Sequence, residues 1–134
     1  MKLLLNLIEA PYVFQLENEN GVHCLLDASP EIGGRNKGLR PMEVLAGSLA
    51  ACAAIDVLRI LEKQRFDAEL FSVYIVAERE KGDSSPFKWI ELQFSCDRCV
   101  DRTKLERTIE LILDKYCSVA ASLHTNIEIR YSVL

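Results

Sequence analysis

The chain has 134 residues, 49% of them hydrophobic and 27% charged, and its 16 basic and 20 acidic residues give a formal net charge of −4. This length suits a single domain, 1–134, because it can bury one core and is too short for two. No cluster of Lys and Arg interleaved with aromatic residues is present, so we expect no nucleic-acid partner. No apolar run approaches the roughly 18 residues of a membrane helix, so we expect no membrane span.

The N-terminal stretch MKLLLNLIEAP begins with a lysine and leucines, as secretion signals do. Asn6 and Glu9 interrupt the apolar run, and no small-residue cleavage site follows, so we predict a strand and a cytoplasmic location. The cytoplasm is reducing, and the chain has an odd number of cysteines, five. We therefore expect free thiols, metal ligands or redox chemistry rather than a disulfide framework.

The residue pattern in the first third of the chain predicts an antiparallel sheet at the start of the fold. Residues 2–8 and 12–17 have strand character, and the turn residues Asn18 to Gly21 lead into a third strand over 22–27. Residues 28–40 are glycine-rich and nearly devoid of apolar side chains, which predicts a long loop. Pro41 is suited to the first turn of a helix, which we expect to run to about Arg65.

The rest of the chain predicts a second sheet and a second helix. Alternating segments 69–81 and 87–97 indicate a hairpin with one wet face, in which Ile90, Leu92 and Phe94 share the apolar side. A helix follows from about Thr103, with Glu106 as its capping-box partner, and ends near 116–117. A final strand is expected over 126–133. This order favours an α+β fold with segregated helices.

The long helix predicted over 41–65 is apolar nearly all round in its first four turns, which indicates enclosure by protein on most sides. Small residues are concentrated in it and would let another backbone approach closely. They are Ala46, Gly47, Ser48, Ala50, Ala51, Ala53 and Ala54. We therefore expect a central helix at a close-packed contact.

The five cysteines differ in context. Cys24, in a strand, is most simply a small core residue. Cys96 and Cys99 have CxxC spacing, typical of a zinc half-site or a redox pair, but no second ligand pair completes a zinc site, and two incidental thiols are the simpler interpretation. Cys52 lies in the alanine-rich helix and Cys117 near the end of the second helix. Spacing alone leaves Cys52 open as a packing residue or a reactive thiol.

Two motifs resemble the signatures of the OsmC/Ohr family, in particular its OsmC-like branch. The first, PEIGGRNKGLRPMEVLAGSLAACAAIDVLRILEKQR, matches a G-x-x-P-M-E-h-L pattern, where h is apolar, followed by a helix with G/A-C-x-x-x-D-V-h and I-L-x-K. Its matching residues are Gly38, Pro41, Met42, Glu43, Leu45, Cys52, Asp56, Val57, Ile60, Leu61 and Lys63. The second runs from Lys115 through Cys117 to Leu123, with Ser118 in place of the usual proline.

The resemblance implies an OsmC-like fold in which antiparallel sheets pack on a long central helix and a second helix, and two chains intertwine as a homodimer. It also implies a thiol peroxidase acting on organic hydroperoxides, without metal or cofactor, and recycled by a dithiol reductant that the sequence does not name. Cys52 would be the peroxidatic thiol, oxidised to a sulfenic acid, and Cys117 the resolving thiol that forms a disulfide with it.

A buried thiol needs a neighbouring cation to ionise. The family supplies an arginine, held by a glutamate, from an early strand, but residues 1–34 contain no arginine. The resemblance therefore leaves Arg35 and Arg40 as candidates, with Glu43 as the holding carboxylate or as a favourable charge at the helix N-terminus. Arg59 is expected to pair with Asp56. A dimeric protein that binds a lipid-like ligand in an interfacial apolar cavity, without turnover, is the alternative function.

Overall fold

A computed structural model describes residues 1–65, 70–96 and 101–134. These residues form six strands and three α-helices, with a short 3-10 helix and a π-helical turn between them. The strands are β1 (Leu3–Glu9), β2 (Val13–Asn18), β3 (His23–Leu26), β4 (Phe71–Arg79), β5 (Phe87–Cys96) and β6 (Glu128–Val133). The α-helices are α1 (Pro41–Lys63), α2 (Arg102–Leu111) and α3 (Ser118–Ser122). The chain divides into two compact units, Met1–Leu45 and Ala46–Leu134.

The first unit contains a three-stranded antiparallel sheet in the order β1-β2-β3. The predicted turn between β2 and β3 is confirmed, because the Asn18 side chain accepts hydrogen bonds from the backbone N–H groups of Asn20 and Val22. Gly21 completes the turn with a φ of 79°, which a residue without Cβ adopts most readily. The predicted antiparallel start is therefore correct.

The loop after β3 is folded around one carboxylate. Asp27 is 3% exposed and accepts hydrogen bonds from the backbone N–H groups of Ala28, Arg35 and Lys37. A Cβ at Gly34 would lie 1.8 Å from the carbonyl oxygen of Ala28, so the loop closes only where a glycine allows the approach. The loop also contains a 3-10 helix, Pro30–Ile32, that the sequence did not predict.

Helix α1 begins at Pro41, as predicted, and ends at Lys63, two residues before the expected position, after which Arg65 has a φ of 58°. Its length and an 18-residue mean hydropathy of 1.9 would also suit a membrane helix, and 33% of that window is buried. The sequence was expected to contain no segment apolar enough to span a membrane. Helix α1 meets that criterion because only a few charged residues interrupt its apolar sequence. Core helices share these features, so they do not by themselves identify a membrane span.

Within the described residues of a single chain, one side of α1 is buried, and the expectation that protein encloses most of the helix stays a prediction about the assembled protein. The buried residues of this side are Ala46, Leu49, Ala50, Ala53, Val57 and Leu61. On the other side Ala51 is exposed and Ile55 is 58% exposed. Small and apolar residues therefore face away from the chain's own core along the middle of the helix.

The second unit contains the sheet β4-β5-β6. Pairing of Ile75 with Leu92 and of Ala77 with Ile90 confirms the predicted apolar face of the hairpin. The prediction of antiparallel sheets is wrong for β6, which runs parallel to β5 with Ile90 opposite Ile129. Parallel neighbours need a crossover connection, and the segment containing α2 supplies it.

After β5 the structure differs from the sequence prediction in the residue that caps the second helix and in how that helix ends. Helix α2 is capped by Asp101, whose carboxylate accepts from the backbone N–H of Thr103, so Thr103 is not the cap. Glu106 instead pairs with Arg102 at 3.0 Å. A π-helical turn, Ile112–Tyr116, then continues the helix, and the unpredicted α3 follows Cys117.

Candidate dithiol site

Cys52 lies in the middle of α1, one turn before Asp56, and is half-buried. Ala53 beside it belongs to the buried side of the helix, while Ala51 is exposed. The thiol therefore lies at the border between the core and the exposed apolar side. The neighbours on both sides are alanines, as the sequence shows.

Cys117 occupies the junction between the π-helical turn and α3. Its backbone N–H donates to the carbonyl of Ile112 at 2.8 Å, and its extended φ and ψ of −72° and 103° end the helical run. Its Sγ accepts a hydrogen bond from the backbone N–H of Ala120 at 3.4 Å, capping α3. The side chain is buried, with only 2% of the residue exposed.

The fold brings the two thiols together. Burial raises the pKa of the Cys117 thiol, and a hydrogen bond and charge interaction with the Cys52 side chain raise it further, while N–H donation from Ala120 and Val119 lowers it in part. Cys117 is therefore held mainly as a neutral thiol at neutral pH. The two sulfurs are therefore neighbours in the fold, which is the first requirement for a disulfide between them.

The remaining cysteines occupy different positions. Cys24 is exposed on β3, so its expected place in a core is wrong: β3 presents it on an open face of the sheet. Cys96, at the end of β5, is disulfide-bonded and is not the free thiol that was expected. Cys99 lies outside the described residues, which leaves the CxxC interpretation untested. Within residues 1–65, 70–96 and 101–134, no group of His, Cys, Asp and Glu is arranged to hold a metal.

The candidate arginines each have a carboxylate partner. Arg40 donates to Glu43 from its guanidinium at 2.9 Å and from its backbone N–H at 2.8 Å. These bonds, the backbone one first, hold the pKa of Glu43 below its usual value. Arg35 pairs with Glu9, a carboxylate that the sequence did not single out.

Two further predictions concern charges in the site region. The expected pair of Arg59 with Asp56 is present, at 3.3 Å. Asp27 was missed in the sequence although it organises the loop that carries Arg35 and Arg40. Its signal was an aspartate between a strand and a glycine-rich segment, where side-chain to backbone hydrogen bonds are favoured.

The fold and the site together define an α+β protein with two neighbouring thiols. Residues 34–132 match the family described as OsmC-like protein. Protein YhfA of Escherichia coli strain K12 is 32% identical over 117 residues, covering 87% of this chain and 84% of that protein. The chain therefore belongs to the OsmC-like family, which confirms the resemblance found in the sequence.

Solved structures have the same fold. A hypothetical protein from Aquifex aeolicus is 27% identical with a TM-score of 0.79, covering 99% of this chain and 95% of that one. An organic hydroperoxide resistance protein OsmC from Legionella pneumophila, also described as a predicted redox protein, is 16% identical with a TM-score of 0.72, covering 99% of this chain and 96% of that one. At that identity the likeness concerns the fold.

Proposed function

We propose that this protein is a thiol peroxidase that reduces organic hydroperoxides. The Cys52 thiolate attacks one peroxide oxygen, the O–O bond breaks, and the products are a sulfenic acid on Cys52 and an alcohol, once the leaving alkoxide takes a proton. The Cys117 thiol then attacks the sulfenic sulfur, forming the Cys52–Cys117 disulfide and releasing water. A dithiol reductant returns both thiols by exchange.

The proximity of the Cys52 side chain to the Cys117 thiol, through which Cys52 raises the pKa of Cys117, is the observation that carries this proposal. The two roles follow from exposure. Cys52 is half-buried and can meet a substrate, whereas Cys117 is buried and has a raised pKa, which suits a thiol that reacts only with its neighbour. The Legionella protein's description as an organic hydroperoxide resistance protein supports the choice of substrate class.

The peroxidatic thiolate requires a cation, and we assign this role to Arg40, held by Glu43. The Glu43 carboxylate accepts from the Arg40 backbone N–H, which places it at the start of α1, and from the Arg40 guanidinium, which positions the arginine side chain there. Arg35 is the second candidate, and its partner is Glu9. A fixed guanidinium stabilises both a thiolate and the charge that develops on the departing oxygen.

The homodimer is also part of the proposal. Strand β1 has large apolar side chains on both faces, and they are between 52% and 59% exposed. They are Leu3, Leu4, Leu5, Leu7 and Ile8. Exposed apolar surface of this extent is typical of a protein interface, and a second copy of the chain is the partner that an intertwined dimer would supply.

The decisive experiment oxidises the reduced protein without oxygen present. We expect cumene hydroperoxide or tert-butyl hydroperoxide to form the Cys52–Cys117 disulfide faster than hydrogen peroxide does, as followed by intact mass and peptide mapping. Cys24→Ser is the matched control, because Cys24 is a free thiol in a different unit, and it should leave the rate unchanged. In the Cys117→Ser variant the reaction should stop at the Cys52 sulfenic acid, which dimedone traps.

Unchanged thiols after peroxide treatment would contradict the proposal. That result would favour the alternative function, a dimeric protein that binds a lipid-like ligand without turnover, which the exposed apolar side of α1 around Ile55 supports. The proposed cytoplasmic location is tested by fractionation with a fluorescent fusion.

A further inference from the structure

A cavity of about 400 Å³ lies in the second unit, between the end of α1 and the π-helical turn. One wall is the last part of α1, which contributes Asp56, Arg59, Ile60 and Lys63. Asp56 is one helical turn from Cys52, so the same helix carries the thiol and this wall. The cavity is large enough for a small organic molecule.

The opposite wall is formed by Leu111, Ile112 and Tyr116. Ile112 and Tyr116 are the first and last residues of the π-helical turn, and Cys117 follows directly. The backbone hydrogen bond from Cys117 to Ile112 ties the sulfur's position to this wall. The two walls of the cavity are therefore the two elements that carry the two thiols.

The lining has a definite chemical character. Leu111, Ile112 and Ile60 and the ring of Tyr116 provide apolar surface, and the charges lie on α1. Asp56 is paired with Arg59 at 3.3 Å, whereas Lys63 has no ion pair within the part of the chain that the structure describes. The cavity therefore offers a ligand apolar surface together with the positive charge of Lys63, which is unpaired among the described residues.

We propose that this cavity binds an amphipathic anion, with an apolar body against Ile112 and Tyr116 and its acidic group at Lys63 and Arg59, and that binding is coupled to the redox state of Cys52 and Cys117. Formation of the disulfide draws Cys117 onto Cys52 and moves the π-helical turn toward α1. The cavity becomes narrower, and the oxidised protein binds the anion more weakly. By linkage, the bound anion disfavours the disulfide to the same extent.

The binding test uses two fluorescent probes with the same body. Anilinonaphthalene sulfonate carries an acidic group, and N-phenylnaphthylamine lacks it. The reduced protein should bind the sulfonate more tightly. Lys63→Gln should weaken sulfonate binding by roughly two- to fivefold, the range that a partly exposed ion pair supplies, and leave the neutral probe unchanged. Lys104→Gln, an exposed lysine on α2 outside the cavity, should change neither.

The coupling test compares the reduced protein with protein oxidised by diamide, which takes two electrons and two protons from the thiols and becomes a hydrazine as the S–S bond forms. Oxidation should weaken sulfonate binding by about fivefold or more, at the low end of typical coupling energies. Cys117→Ser should bind the sulfonate and lose this response. The binding test and the coupling test use no peroxide, so their outcomes are independent of the peroxidase proposal.

Three results would overturn the inference. Equal binding of both probes would show that the cations are not used. An unchanged affinity in Lys63→Gln would place the probe elsewhere, for example on the exposed leucines of β1. Equal sulfonate affinity before and after the Cys52–Cys117 disulfide is verified by peptide mapping would remove the coupling and leave the peroxidase proposal intact.

Discussion

The Cys52 side chain lies close enough to the Cys117 thiol to raise its pKa, although 65 positions separate these residues in the chain. The contact joins the middle of α1 to the end of the π-helical turn and gives the two thiols unequal environments. Cys52 is half-buried and Cys117 is buried. Each of the following predictions concerns this pair or the elements that position it.

The pKa of Cys117 should respond to Cys52. Burial is the main cause of the raised pKa, and the Cys52 side chain adds to it, so Cys52→Ala should shift the pH midpoint of Cys117 alkylation to a lower value. Iodoacetamide labelling across pH with peptide mapping measures the shift, and Cys24→Ala serves as the control. A midpoint that is unchanged or higher in Cys52→Ala would show that the two thiols do not interact.

Arg40 should accelerate peroxide reduction if it serves as the cation. Arg40→Met should lower the second-order rate of Cys52 oxidation by about 10² to 10³, the loss seen when a preorganised donor is removed from an active site. Glu43→Gln should lower the rate less, because it loosens the arginine without removing it. Arg107→Met, an exposed arginine on α2, is the control. A greater loss in Arg35→Met than in Arg40→Met would assign the role to Arg35.

Asp27 should make the stability of the loop depend on pH. Backbone N–H donation, from Lys37 first, lowers the pKa of this carboxylate. A folded-state pKa below the unfolded value of about 3.9 means that the stabilisation is complete above that pH and is lost as pH falls through the folded pKa. Asp27→Asn should lower the melting temperature at neutral pH, with a difference that shrinks on acidification.

Circular dichroism melts between neutral and strongly acidic pH measure this difference for Asp27. Asp83→Asn, at an exposed loop position, is the control and should melt like the wild type. An Asp27→Asn variant with an unchanged melting temperature at neutral pH would show that the three backbone hydrogen bonds contribute nothing measurable.

Gly34 should tolerate no side chain. A Cβ there would meet the carbonyl oxygen of Ala28 at 1.8 Å, so Gly34→Ala should destabilise the protein by about 1–3 kcal/mol, as overpacking does. Gly47, inside α1, is the matched control, because a Cβ added there would meet nothing within 4 Å. Gly47→Ala should be neutral or stabilising by up to about 1 kcal/mol. Urea unfolding compares the two, and equal losses would refute the steric argument.

The leucines of β1 should hold the dimer together. Leu5→Arg places a charge among exposed apolar side chains and should convert the dimer to monomer in sedimentation experiments. Tyr74→Arg, at a position on β4 that is 66% exposed, should leave the association unchanged. A wild-type protein that sediments as a monomer, or a Leu5→Arg variant that remains dimeric, would contradict this role for β1.

The sequence predicted those parts of the fold that local patterns determine. Helix α1 and the β4–β5 hairpin followed from periodicity and from Pro41. The parallel pairing of β6 could not be predicted, because it depends on how the crossover through α2 returns the chain. Cys24 was misplaced for a similar reason: alternation shows that a strand has two faces without showing which of them is covered.

The candidate site was predicted only in part. Cys52 and Cys117 were singled out through their motifs, and the structure brings them together. The roles of Arg40, Glu43 and Arg35 remain predictions. The cavity was missed, because Asp56 and Lys63 read as charges on the end of a helix, and only the fold places Tyr116 opposite them.

In the π-helical turn Ile112–Tyr116 the backbone hydrogen bonds span five residues instead of four, so the turn is wider than an α-helical turn. Such a turn accommodates one added residue within an α-helix. If the same residues closed ordinary i→i+4 bonds instead, the extra residue would not be absorbed, and everything downstream would be rotated by about 100° around the axis. The Cys117 sulfur would then point away from α1 while both cysteines remained in the sequence. The wider hydrogen bonding of this turn is therefore as important to the chemistry as the identity of the thiols.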